Sequence, residues 1–230
     1  ALFGLTSGLR QKQTRPVLRA FMLPPPRTSF HTTGANVGGV AVSPNGRRLA
    51  FGARDEDGTP QLWIRELDDL EAYAVPGGEG ALFPFWSPDS RSVGFFAKGR
   101  LKVVEASPSP PPARELADIE EARGASWGEG GTIVYSPQNF GGLMKVPAAG
   151  GAPAEATKLN ASSGEMAHRW PCFLPGGRRF LYATRRVDPK APLQVSYTIE
   201  AASLDGQQRH NVLADGSNPI FVPPGHLLYL

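Results

Sequence analysis

Short apolar runs alternate with clusters of Gly, Pro, Ser, Asn and Asp along most of the chain, and no run carries sustained helical periodicity with caps. The clearest unit is Phe83 to Phe96, FPFWSPDSRSVGFF. An apolar run ends at Trp86. Ser87, Pro88, Asp89 and Ser90 then supply turn chemistry, because Pro presets φ while Asp and Ser bond the local backbone. A second run follows at Val93 to Phe96. The same form recurs at Val42 to Phe51 and at Phe173 to Tyr182, with weaker copies at Trp127 to Tyr135 and Phe221 to Tyr229. Aligned on Val42, Trp86, Trp127, Phe173 and Phe221, the copies are spaced by 44, 41, 46 and 48 residues. A drifting period of about 40–50 residues, each unit a few strands, is the signature of a β-propeller blade.

The pattern predicts an all-β fold: an incomplete propeller of four-stranded blades at about 37–80, 81–124, 125–164 and 165–218, with a further blade starting at 219–230. The expected strands are Val37–Val42, Arg48–Ala53, Gln61–Glu66 and Ala72–Val75 in the first blade. Leu82–Trp86, Ser92–Ala97, Leu101–Glu105 and Arg114–Leu116 make the second. The third, most degenerate blade opens at Ala125 and continues with Thr132–Ser136, Leu143–Val146 and Ala156–Leu159. His168–Phe173, Arg179–Thr184, Val195–Ser203 and Arg209–Leu213 make the fourth. Pro219–Val222 and His226–Leu230 begin the next. Asp188 to Pro192 reads as a longer polar loop, and Pro108 to Pro112 as a connector too short to be a docking peptide.

Before the repeats, Val17 to Leu23 has strand character and suits the lone strand that closes a propeller's last blade. Thr28 to Asn36 reads as a polar loop. Residues 1–16 are expected to be a tail plus linker, and Ala1 to Leu9 fits either a disordered end or the last part of a transmembrane helix. The chain does not begin with Met, and four blades plus the start of a fifth do not close a ring of six or more. A fragment is therefore expected, with the remaining blades elsewhere in the protein.

At 230 residues the chain suits one all-β domain, and its 27 Gly and 23 Pro fall between the apolar runs as punctuation. The net charge of +3 is too small to imply a nucleic-acid partner. The single Cys172 rules out an internal disulfide.

Catalytic motifs are absent from the segment: there is no glycine-rich kinase loop, no His-Arg-Asp, no Asp-Phe-Gly and no Gly-x-Ser-x-Gly. Ser162 and Ser163 near His168 invite a hydrolase reading, but nothing marks an orienting carboxylate or an oxyanion hole. His31, His168, His210 and His226 are scattered without metal-ligand spacing. No catalytic residue, metal or cofactor is expected here. Glu165, His168 and Arg169 form the most interesting polar group, at the start of an innermost strand, with Arg123 in the equivalent place one blade earlier. They suit either an anion or peptide ligand gripped at the funnel mouth or a salt-bridge network that holds the blades together. Trp63, Trp86, Trp127 and Trp170 are expected to fill space between blades, and Asp89 to cap its own turn.

Ala41 to Phe51 and Trp86 to Ser90 resemble the Ser-Pro-Asp-Gly-(Arg/Lys) repeat of TolB-like, WD-repeat-like propellers. Asn45 and Gly176 stand where that repeat has Asp, and Gly128-Glu129-Gly130 replaces a whole turn. More narrowly, Leu62 to Arg65, Phe83 to Ser90 and Gly164 to Pro171 resemble the propeller that follows the transmembrane segment in bacterial serine/threonine protein kinases. That resemblance implies a non-catalytic sensor or scaffold module, extracytoplasmic and tethered to the inner membrane by an N-terminal anchor, binding a protein or small molecule at its funnel. The alternatives are the gating propeller of a prolyl-oligopeptidase-like hydrolase, a free periplasmic TolB-like scaffold, or a cytoplasmic location.

Overall fold

The computed structural model describes residues 22–31, 39–188 and 191–230. Regular structure there is β throughout, apart from one 3-10 turn at Ala161–Ser163. Blade one holds β1 (Ser29–Phe30), β2 (Val40–Val42), β3 (Arg48–Arg54), β4 (Pro60–Glu66) and β5 (Ala72–Glu79). Blade two is β6 (Leu82–Trp86), β7 (Ser92–Ala97), β8 (Arg100–Glu105) and β9 (Arg114–Asp118). Blade three is β10 (Ala125–Trp127), β11 (Thr132–Tyr135), β12 (Met144–Pro147) and β13 (Ala154–Glu155). Blade four is β14 (Glu165–Phe173), β15 (Arg179–Asp188), β16 (Ala191–Ser203) and β17 (Arg209–Ala214), and β18 (Ile220–Val222) pairs with β19 (His226–Leu228) beyond it.

Each blade is an antiparallel meander in chain order, counted in blade one from β2, with β1 added beside it on β3. The first strand of the meander is innermost, because successive first strands touch across blades. The Trp86 indole Nε1 donates to Ala41 O at 2.9 Å, Phe173 N donates to Ser126 Oγ at 3.0 Å, and Phe221 N lies 3.3 Å from Cys172 Sγ.

The second strands are nearly continuous apolar runs because neighbouring blades cover both of their faces. Period-two alternation then divides their side chains between two interfaces. Val93, Phe95 and Ala97 of β7 pack toward blade one with Ala50, Leu62 and Ile64. Phe96 packs toward blade three with Leu101, Ile133 and Tyr135. Val134 turns the other way and joins Phe180 and Tyr182 of blade four. The core is therefore a series of slabs between blades, and deleting one fully buried ring such as Phe95 costs about 3–5 kcal/mol.

In blades one and two the turn after the inner strand is held by its own side chains. Ser87 Oγ donates to Asp89 Oδ1 at 2.6 Å, Arg91 N donates to the same oxygen at 3.1 Å, and Ser92 N donates to Ser87 Oγ at 2.9 Å. Asn45 does the same work in blade one, accepting from Ser43 Oγ at 2.7 Å and Arg47 N at 3.0 Å, so its substitution for Asp leaves the turn intact. In blade three Gly128 is required by packing, since a Cβ there would meet the Phe173 ring at 2.9 Å.

Four expectations are corrected. Thr28 to Asn36 is not wholly loop: Ser29 and Phe30 pair with Arg54 and Ala53 on the β3 edge that Val40–Val42 also occupies. Backbone ladder bonds form there without any apolar alternation to announce them. The outer strand of blade three lies at Ala154–Glu155, before Ala156, because Ala156 turns inward to the core. Of the polar loop expected at Asp188 to Pro192, Asp188, Ala191 and Pro192 are in strands, since β15 and β16 pair as far as Asp188 and Ala191. The first strand of blade four also begins before His168, at Glu165. Residues 1–16 and Val17 to Phe21 lie outside the described residues, and Met22 and Leu23 are not in a strand. Among the described residues no helix is long and apolar enough to cross a membrane.

Candidate functional site

The four predicted residues separate into two settings on β14 and beside it. Glu165 and His168 belong to a closed polar network between blades three and four. Arg186 Nη2 reaches Glu165 Oε1 at 3.0 Å and Glu200 Oε1 at 2.6 Å. Arg209 pairs with the same two carboxylates. The Tyr182 hydroxyl donates to Glu200 Oε2 at 3.0 Å, and Asn160 N donates to Glu165 Oε2 at 2.7 Å. Burial alone would raise the Glu165 carboxyl, but the Arg209 hydrogen bond and charge and the Asn160 amide bring it down to about 2.

Thr157, His168 and Glu165 have the outline of a nucleophile, base and orienting acid. Thr157 Oγ1 is 2.7 Å from His168 Nδ1, and His168 Nε2 is 3.3 Å from Glu165 Oε2. The chemistry does not follow. Thr157 Oγ1 already accepts the Leu143 amide at 2.9 Å, His168 is fully buried, and burial plus the Arg209 charge push its pKa down to about 4. Such an imidazole is a poor base near neutrality. Ser162 and Ser163 hydrogen-bond to Asn160, and neither reaches His168.

Arg169 and Arg123 form the second setting. His168 and Arg169 are consecutive in a strand and so face opposite sides of it. A loop of blade three runs along the edge of β14, with Gly141 N donating to Met166 O at 3.0 Å and His168 N to Gly141 O at 2.9 Å. It needs the φ of 109° that Gly141 adopts. This loop carries Asn139 to Arg169, whose Nη2 donates to Asn139 O at 2.9 Å and also to Asn139 Oδ1. Nη1 lies 3.5 Å from the Tyr197 hydroxyl, while the buried Nε finds no partner among the described residues. Arg123 pairs with Glu121, and its carbonyl accepts Trp170 N at 2.8 Å. Burial lowers the Arg169 pKa, and the nearby charges of Arg123 and Arg185 lower it further against Tyr197 and Glu121.

His31 occupies the matching place in blade one, its N bonded to Gly52 O at 3.0 Å and its Nε2 2.6 Å from Arg54 Nη2. Its Nδ1, like Arg169 Nε, is buried without a partner among the described residues.

Gly124 and Trp170, which follow Arg123 and Arg169 in the chain, line a cavity of about 800 Å³ formed by the inner strands of all five blades. Phe83, Pro84, Trp127, Trp170 and Pro171 give it an aromatic and proline-rich wall. At the end near Arg169 one backbone feature recurs in or just before the inner strands: Phe83 (φ 48°), Gly124 (φ 92°), Trp170 (φ 49°) and Asn218 (φ 48°) are all left-handed. Bulky residues rarely hold that conformation, and where they do the surroundings impose it. For Trp170 they include the Arg123 carbonyl and Gly124, where a Cβ would come within 3.2 Å of Trp170 Cα. The Trp170 ring stacks 5.6 Å from Tyr197, with the Arg169 guanidinium 5.8 Å from its centroid. Trp170 and Trp127 thus line the channel and do not merely fill space between blades. Tyr197, Asn139, Arg185 and His31 were not foreseen as site residues. The one signal was Ala53-Arg54 and Thr184-Arg185, where an Arg ends the same stretch of second strand in two blades.

The fold is a TolB-like β-propeller. A protein from Agrobacterium tumefaciens assigned as TolB is similar, with a TM-score of 0.63 at 15% identity over 86% of this chain and 77% of that one. TolB from Acinetobacter baumannii gives a TM-score of 0.57 at 15% identity, over 81% of this chain and 46% of that one. The propeller domain of the Trilobed protease from Pyrococcus furiosus gives 0.54 at 10% identity, over 82% and 58% of the two chains. No family model and no curated protein sequence matches the chain.

Proposed function

We propose that this chain is a non-catalytic propeller module that binds a ligand at the end of its central channel marked by Arg123 and Arg169. The observation that carries this reading is the placement of Arg169 against Trp170, a strained aromatic residue that lines the cavity. The cavity's volume falls within the range of small-molecule sites. Titration calorimetry with a panel of anions, short peptides and apolar compounds tests it. Saturable binding that Trp170→Ala weakens supports the reading, and a panel without any such binding overturns it.

The wider assignment is the extracytoplasmic sensor or scaffold part of a membrane-anchored bacterial serine/threonine kinase. It is supported by the resemblance at Leu62–Arg65, Phe83–Ser90 and Gly164–Pro171. A free TolB-like scaffold is the second reading, supported by the overlay with the TolB chains. The coding sequence on either side decides between them. A kinase domain and an apolar span of about 20 residues upstream favour the sensor. A signal peptide close upstream, with no kinase, favours the scaffold.

A further inference from the structure

The two faces of blade four beside blade three are built differently. On one face Arg186 and Arg209 each contact both Glu165 and Glu200, so two cations meet two carboxylates. On the other face the charges of Arg123 and Arg185 both act on Arg169, while Glu121 pairs with Arg123. The hydrogen-bond partners found for Arg169 are the neutral Asn139 and Tyr197. A buried guanidinium with neutral partners only is an unfavourable arrangement until an anion arrives. Arg185 is the more exposed of the three and stands over Phe140, its guanidinium 5.7 Å from the ring centroid.

The charge surplus does not lie on open surface. It abuts the aromatic end of the channel, where the Arg169 guanidinium lies 5.8 Å from the ring centroid of Trp170, a residue that lines the cavity. Phe83 lines that cavity too, its ring edge-on to Phe96. A ligand that satisfies both halves needs one compact anionic group and an adjoining apolar body. Planar guanidiniums favour a carboxylate, which takes two parallel N–H donors. An aromatic or branched body then covers Trp170 and Phe83.

We infer that the channel-end site takes a carboxylate attached to an apolar ring or chain, with Arg169 and Arg185 holding the carboxylate and Trp170 and Phe83 holding the body. This rests on the channel-end reading proposed above and adds the ligand's chemistry to it. A free small acid and the C-terminal end of a peptide both offer that chemistry.

The test is calorimetry on the full chain with 4-phenylbutyrate, its neutral amide, acetate, and the dipeptide Gly-Phe with a free or an amidated C-terminus. The expected result is saturable binding of 4-phenylbutyrate, with the amide and acetate each weaker by about tenfold or more. Binding of free Gly-Phe above its amidated form, and above phenylbutyrate, identifies a peptide end as the source. The reverse order identifies a free acid. Arg169→Gln and Arg185→Gln are expected to weaken the carboxylates while leaving the amides unchanged. Arg185 is half-exposed, so its variant answers if the buried Arg169→Gln does not fold. Equal binding of acid and amide, weakened by Trp170→Ala, overturns the carboxylate and leaves the channel-end site standing. Carboxylate binding indifferent to Arg185 and Trp170 also overturns the inference. No binding by any probe, here or in the wider panel, removes both.

Discussion

Arg186 and Arg169 stand on neighbouring strands of blade four in opposite electrostatic settings, one clasped by Glu165 and Glu200, the other by Asn139 and Tyr197. The first is a closed buried network, and removing one member leaves the rest uncompensated. Glu200→Gln is therefore expected to destabilise the chain by about 3–5 kcal/mol, read as a lower urea midpoint at unchanged slope. A midpoint within error of the parent protein would show that the network contributes nothing net.

Acid sensitivity follows from the same network. His168 is held down to about 4 from its ordinary 6.5, so the unfolded chain binds the extra proton between those values. Stability falls as pH drops from about 6.5 to about 4. Glu165, held at about 2 against 4.5, extends the loss through that lower window. Unfolding measured across pH in His168→Gln is expected to flatten between pH 6.5 and 4 and to keep the steeper loss below 4. A parent curve that is flat over the upper window contradicts the assignment.

Gly94 lies opposite Phe85 in the ladder, and a Cβ there would sit 2.1 Å from the ring. Gly94→Ala must displace a buried ring of the slab between blades two and three, which costs about 1–3 kcal/mol. A melting temperature lowered by several degrees is expected, at about 2–4 °C per kcal/mol for a chain of this size. Phe85→Leu combined with Gly94→Ala should recover part of the loss.

Asp89 and Asn45 occupy the same place in successive turns with the same acceptor oxygen. Asp89→Asn is expected to stay within about 0.5 kcal/mol of the parent, whereas Asp89→Ala loses about 1 kcal/mol. Equal losses for both variants would mean that the charge matters and the hydrogen bonds do not.

The fold was legible because each blade repeats local chemistry at short range: a turn after the inner strand, built on a Ser with Asn or Asp two positions on in blades one and two and on glycines in blades three and four, then an apolar run covered on both faces. What escaped notice lacks such chemistry. Ser29 and Phe30 join β3 through backbone bonds alone. The β15–β16 hairpin continues through Arg185 and Arg186, past the last residues of the apolar core. The site was half legible. Glu165, His168 and Arg169 were found as polar residues at the start of an inner strand, but grouping them ignored alternation. Register shifts between Glu165 and Ala167 and between Arg169 and Cys172 reset which way each side chain points, and such bulges leave little trace in composition. Asn139 and Tyr197 come from distant strands and loops, and only folding brings them to Arg169.

The left-handed residue shared by Phe83, Gly124, Trp170 and Asn218 falls inside the inner strand in blades two and four and just before it in blade three and the blade beyond, and it separates the rim residue from the rest of that strand. Beyond it, turn-to-turn bonds such as Asn45 N to Ser90 Oγ at 3.1 Å and Gly176 N to Glu129 Oε1 at 3.1 Å fasten blade to blade. Before it, the side chain at the rim changes from His31 to Leu82 to Arg123 to Arg169 while the blade behind it keeps its packing. Selection can therefore rewrite the rim one blade at a time, trading one recognised molecule for another without renegotiating the architecture that carries it.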